Sequence, residues 1–202
     1  EAVGVYYVGN AGTINNNLTS LTIGKGSIGI VDAGTGATTI NNNLATVNLK
    51  GDSVYTYTSN TRSNVIGNTK ITSSGNGNYG YYVAGNLTNY AGTGDMDFTS
   101  GTGNVGIYSA YKTGGTGIAR NAATIKVGKT DLENELYSIG MAAGYEKTDF
   151  GNIINQGTIN VNGKNSIGMY ATGRNSTATN NGTINLGADE SVGMYLDNGA
   201  KG

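Results

Sequence analysis

Carboxylates are the residues best placed to do chemistry in this chain, which holds 13 Asp and Glu, no His and no Cys. Three groupings are close enough in sequence to act together: Asp95 with Asp97, Asp189 with Glu190, and Asp131 with Glu133 and Glu135. Glycoside hydrolysis needs two carboxyls about 5–10 Å apart, one to protonate the leaving oxygen and one to attack or activate water. Asp95 and Asp97 share strand parity and so could share a face. A polysaccharide lyase also wants a basic residue beside its acids. Without His and Cys, zinc, iron–sulfur, haem and thiol chemistry lose their usual ligands, and His-based relays are closed. "GTGDMDF" (92–98) faintly resembles the calcium repeats of β-rolls, but those come in tandem and here there is one copy. "GTGNVG" (101–106) lacks the G-K-[ST] of a phosphate loop. We therefore expect no metal, no cofactor and no enzyme.

The elements that would hold any such group announce themselves in an unusual composition. Of 202 residues 35 are Gly, none is Pro or Trp, and only 12% are charged, about half the ordinary share of charge. A net charge of −1 supplies no field to draw nucleic acid. No run of 18 apolar residues is present to span a bilayer. The opening "EAVGVYYV" reads as mid-domain sequence, as in a piece of a longer chain.

One short unit recurs eight times: "VGVYY" (3–7), "IGIVD" (28–32), "VYTYT" (54–58), "YGYYV" (79–83), "VGIYS" (105–109), "IGMAA" (139–143), "IGMYA" (167–171) and "VGMYL" (192–196). Successive copies are 25, 26, 25, 26, 34, 28 and 25 residues apart. A second, alternating unit precedes most of them, with apolar pairs at Leu21/Ile23, Val47/Leu49, Met96/Phe98, Ile125/Val127, Ile159/Val161 and Ile184/Leu186 and a degenerate copy near Ile71. Alternation of this kind is a strand with one buried face. A lone repeat cannot bury that face, but stacked repeats can, each strand pairing with its counterpart one turn on. The reading is an all-β, right-handed parallel β-helix spanning 1–202 as a single segment, with about eight coils of roughly 25 residues rising ~4.8 Å each. Absent Pro fits, because each interior strand donates to its ladder.

Stacking predicts Ile167 over Val192 and Met169 over Met194, pointing inward with Val3, Ile28, Val54, Val105 and Ile139. The intervening Gly should face out. So should an aromatic column of Tyr6, Tyr57, Tyr82, Tyr108, Tyr170 and Tyr195, interrupted by Val31 and Ala142. That column either stabilises the coil by ring stacking or offers a flat platform for sugars.

"INQGTINVNGKNSIGMYATG" (154–173) and "NNGTINLGADESVGMYLDNG" (180–199) resemble the passenger repeats of large bacterial autotransporter adhesins, above all the giant outer-membrane adhesins of fusobacteria. The resemblance is strong over 152–199 and looser over 3–150. It implies a signal peptide upstream, a C-terminal β-barrel downstream that supplies the membrane attachment, and display at the bacterial surface, with release also open. It implies attachment to a glycan or protein receptor on another bacterium or a host cell. A chain free of disulfides suits unfolded export through a narrow pore.

Loops leaving a rigid solenoid are where binding residues usually sit. Outward loops are expected near 59–78, 111–121 and 128–138. Their candidate contacts are Arg62 and Lys70, Lys112 and Arg120, and Asp131, Glu133 and Glu135, the last three on "DLENEL", which could close one helical turn. Lys126 and Asn160 stand where acids would be needed beside Asp95 and Asp97, which weighs against a lyase or glycosidase. A passive spacer within an adhesin stalk is the other alternative. The segment is expected to be monomeric.

Overall fold

The computed structural model describes all 202 residues and contains 22 strands and no helix. The first sheet takes β1 (Val3–Tyr7), β4 (Ile28–Asp32), β7 (Val54–Thr58), β10 (Tyr79–Val83), β13 (Val105–Ser109), β16 (Ile139–Ala143), β19 (Ile167–Thr172) and β22 (Val192–Asp197). The second takes β2 (Gly12–Asn16), β5 (Thr38–Asn42), β8 (Ser63–Gly67), β11 (Asn89–Gly92), β14 (Ala119–Asn121), β17 (Phe150–Asn155) and β20 (Asn175–Asn180). The third takes β3 (Ser20–Ile23), β6 (Thr46–Leu49), β9 (Lys70–Ser73), β12 (Met96–Phe98), β15 (Thr124–Val127), β18 (Thr158–Val161) and β21 (Thr183–Leu186). Each strand pairs in parallel with the strand three further along the chain, so the molecule is a right-handed parallel β-solenoid of eight turns.

Register follows the repeat. Ile167 pairs with Val192, Met169 with Met194 and Tyr170 with Tyr195. Degenerate Ile71 also keeps its place, between Val47 and Met96, and is fully buried. The polar second sheet carries one inward apolar residue per strand, in the column Ile14, Ile40, Val65, Tyr90, Ala119, Ile153 and Ala178. Flanking Thr and Asn hide that column from a periodicity reading.

The facing of the first sheet corrects one expectation. Its third positions do point inward: Ile30, Ile107, Met141 and Met169 are all 1% exposed or less. The Tyr column does face out. The first positions, from Val3 and Ile28 through Val54, Val105 and Ile139 to Ile167, face out as well, and the glycines face in. Gly168 and Met169 are buried in succession, so strict alternation fails between them. The reason is room. A Cβ on Gly168 would lie 2.6 Å from the Gly193 carbonyl oxygen and 3.1 Å from Ile184 Cγ2. Coil three solves the same space the other way, with fully buried Tyr55 at the Gly position and small Thr56 after it.

Asparagine builds the corners. Between the second and third sheets, Asn121 Nδ2 donates to Asn155 Oδ1 (2.9 Å) and Asn155 Nδ2 to Asn180 Oδ1 (2.8 Å). Each amide also turns its own backbone: Asn121 Oδ1 accepts from the Ala123 N–H and Asn155 Oδ1 from the Gly157 N–H. Gly67 and Gly92 interrupt this column where the Tyr90 ring fills the space. Buried Asn78 and Asn104 do the same work between the third and first sheets, joined at 2.9 Å. Asn155→Ala is expected to cost about 1–3 kcal/mol, because it strands the buried Asn121 amide on one side and removes the link to exposed Asn180 on the other. Denaturant unfolding followed by far-UV circular dichroism measures it, and a loss below ~0.5 kcal/mol would show that the ladder is dispensable.

Residues 59–78, expected to bulge, contain β8 and β9 and follow the coil. Real excursions leave at 110–118, at 128–138 and at 144–149. No helical turn forms at 131–136. Asp131 and Leu136 instead exchange backbone hydrogen bonds of 3.1 and 2.9 Å across a tight hairpin.

Candidate functional site

The outside of the first sheet is lined by apolar side chains, most of them half-buried, with Val105 and Ala142 covered. The outward first positions contribute Val54, Tyr79, Val105, Ile139, Ile167 and Val192. The fourth positions contribute Tyr57, Tyr82, Tyr108, Ala142, Tyr170 and Tyr195. Where aromatic rings are adjacent they do not form one flat table. Tyr57 meets Tyr82 at 59° and Tyr82 meets Tyr108 at 61°, and only Tyr170 and Tyr195 lie nearly parallel, at 10°. Tyr82 is pushed up to about 12 by burial, with Tyr57 adding to the shift.

Ala142 stands where a ring is missing between Tyr108 and Tyr170. Beside that gap the face opens into a groove of about 670 Å³, with a second of about 550 Å³ beyond it over Ile167, Val192 and Tyr195. Tyr137, Ile139 and Tyr170 belong to both. Two excursions rise beside the face. The 128–138 hairpin sets Leu136 against Gly103, where a Cβ would come within 2.8 Å of the Leu136 Cβ. Its Asp131 carboxylate accepts from the Asn134 side chain (2.8 Å) and backbone N–H, which hold it below the usual carboxylate range. The 144–149 excursion presents Tyr145, 75% exposed. It is pinned by Asp149, which accepts from Lys112 (2.9 Å) and the Glu146 N–H (3.0 Å). Burial works against the Asp149 charge, but these donors outweigh it and keep the carboxyl below its ordinary range. Lys112 is raised in turn by Asp149 and Glu146.

The residues proposed from sequence do not converge. Arg62 is exposed at a corner between the first and second sheets, Lys70 starts β9, and Arg120 lies half-buried on β14. Lys112 is held between Asp149 and Glu146, at 2.9 and 3.1 Å. Asp131, Glu133 and Glu135 do share one hairpin, and Glu135 reaches the larger groove. Asp95 and Asp97 are engaged: Asp95 accepts from the Thr124 N–H (2.9 Å), and Asp97 from Thr99 Oγ1 (2.6 Å) and Lys126 (3.3 Å). Burial raises the Asp97 carboxyl, but Thr99 and Lys126 bring it below its ordinary range. No three acidic side chains gather in a cluster that could hold a metal ion. Sequence reasoning passed over Tyr79, Tyr137 and Tyr145. The available signal was aromatic residues outside the repeat's own Tyr position, two of them in the insertions.

A three-sheeted right-handed parallel solenoid with outward loops defines the protein as a pectate lyase-like β-helix. The chain belongs to the family described as the BigA third pectate lyase-like domain, whose model matches residues 4–202. It is thus a β-helix domain of a BigA-type bacterial surface protein. Neither a curated protein nor a solved structure matches it.

Proposed function

We propose that this domain is an adhesive passenger segment of an autotransporter, of the kind carried by large fusobacterial outer-membrane adhesins, and that it attaches its cell to another bacterium or a host cell. The outward aromatic and aliphatic face of the first sheet carries the reading. Apolar patches of this kind on a soluble surface mark places where something else binds. The loops flank the face and leave Tyr137 and Tyr145 about half and three-quarters exposed (48% and 75%). A β-barrel elsewhere in the parent protein would supply the outer-membrane anchor. The domain acts without catalysis on this reading, since Asp95 and Asp97 are committed to a backbone amide, a hydroxyl and Lys126 and Glu190 is paired with Lys164.

The test is attachment of the purified monomer to whole bacterial and host cells and to a glycan array. Saturable binding that falls at least tenfold in Tyr137→Ala/Tyr145→Ala is expected. Silence from a chain shown folded by far-UV circular dichroism would overturn the reading and leave a stalk spacer, which the regular first four coils would suit.

A further inference from the structure

The larger groove has a chemistry of its own. Five tyrosines line it, together with the carboxylates of Asp52 and Glu135, and no Lys or Arg does. Asp52 is already paired with Lys25, at 3.5 Å. Glu135 takes part in no ion pair. Tyr79 and Tyr108 meet at 62° with ring centroids 6.0 Å apart, so two non-parallel walls face the space. Tyr137 and Tyr145 stand over it with no aromatic partner of their own, and both are exposed.

A compact cation among aromatic faces is attracted by the ring quadrupoles, and a carboxylate at the rim adds a counter-charge. A run of sugar rings would instead want aromatic faces in one plane, and Tyr79 and Tyr108, meeting at 62°, share none. An anionic glycan would meet the unpaired carboxylate of Glu135 and no Lys or Arg in the lining itself. Resting on the adhesive reading above, we propose that this groove is an aromatic cage for a lysine or arginine side chain of a partner protein, with Glu135 as its counter-charge.

The experiment is a titration of the isotope-labelled chain with N-acetyl-lysine amide, followed by nuclear magnetic resonance. N-acetyl-norleucine amide, which has the same stem without the charge, and a neutral disaccharide are run in parallel. The expected result is saturable shifts confined to the neighbourhood of Glu135, Tyr137 and Tyr145 with the lysine probe alone. They should weaken about fivefold in Glu135→Gln and fall with added salt, as for an exposed charge pair. Glu135→Gln and Tyr145→Ala change exposed side chains, and an unchanged melting temperature confirms that each variant folds. Equal shifts with norleucine, shifts with the disaccharide alone, or no shifts at all would overturn the cage. Cell attachment that persists in Glu135→Gln, with no lysine response, would sink the cage and leave the adhesive face standing. A lysine response without cell attachment would do the reverse.

Discussion

Met169→Asp unfolds the coils around it. Met169 lies fully buried in a column with Met141 and Met194, inside a core that extends from Ile23 to Ala178. An aspartate there would be an unpaired charge with no donor in reach, a change whose cost runs to about 4–5 kcal/mol or more. That is comparable with the whole stability of many domains. Because each coil touches mainly its neighbours, the loss should centre on coils six to eight rather than spread evenly. Hydrogen exchange would show it as lost protection in β16, β19 and β22 with β4 and β7 retained. Tyr170→Ser, one residue on but outside, removes a ring stacked on Tyr195 at 5.8 Å and should cost only about 1–2 kcal/mol. Equal damage from the two would mean that the third and fourth positions do not face opposite ways.

Gly168→Val is the second large effect. Its Cβ would sit 2.6 Å from the Gly193 carbonyl oxygen, 3.1 Å from Ile184 Cγ2 and 3.4 Å from Val161 Cγ2. The first of these atoms is backbone of the neighbouring strand β22 and cannot swing aside, so β19 and β22 must shift apart, while Ile184 and Val161 crowd the same space from the third sheet. Overpacking of this kind costs about 2–3 kcal/mol. Ile167→Ala, on the outward side of the same strand, should cost less than half as much. The pair is read from denaturant midpoints at constant slope. A tolerated valine together with a damaging Ile167→Ala would restore the facing that simple alternation predicts.

That reversal at the glycines shows how far the residues could be read unaided. Period-two alternation assigns Ile167 and Met169 to one face, because it assumes an unbroken pleat. The chain bends between Gly168 and Met169, and two successive residues turn inward there. Nothing in "SIGMY" itself reports the bend, which brings the glycine's inward side to where a Cβ would meet Ile184 and Val161 of the third sheet. The second sheet was hidden for a related reason. Strands such as "TTINN" bury one apolar residue among Thr and Asn, with Asn41 laddered to Asn15 on the outside, a pattern that hydrophobic periodicity does not register.

The candidate groove was less visible still. Its floor is Ala142, plain in the repeat as a missing Tyr, but its walls come from residues 79, 108, 137 and 145 in coils four to six. Charged residues in loops looked like contacts, and several are fasteners: Lys112 with Asp149, Asp131 with Asn134. By itself the sequence determined the coil number, the ladder register and the parallel solenoid, because a repeat stacked at one strand spacing admits little else. Only the tertiary structure decided which side of the first sheet faces water and where tyrosines distant in the chain meet. Both depend on how neighbouring sheets press on each other, and that contact has no counterpart in a single repeat.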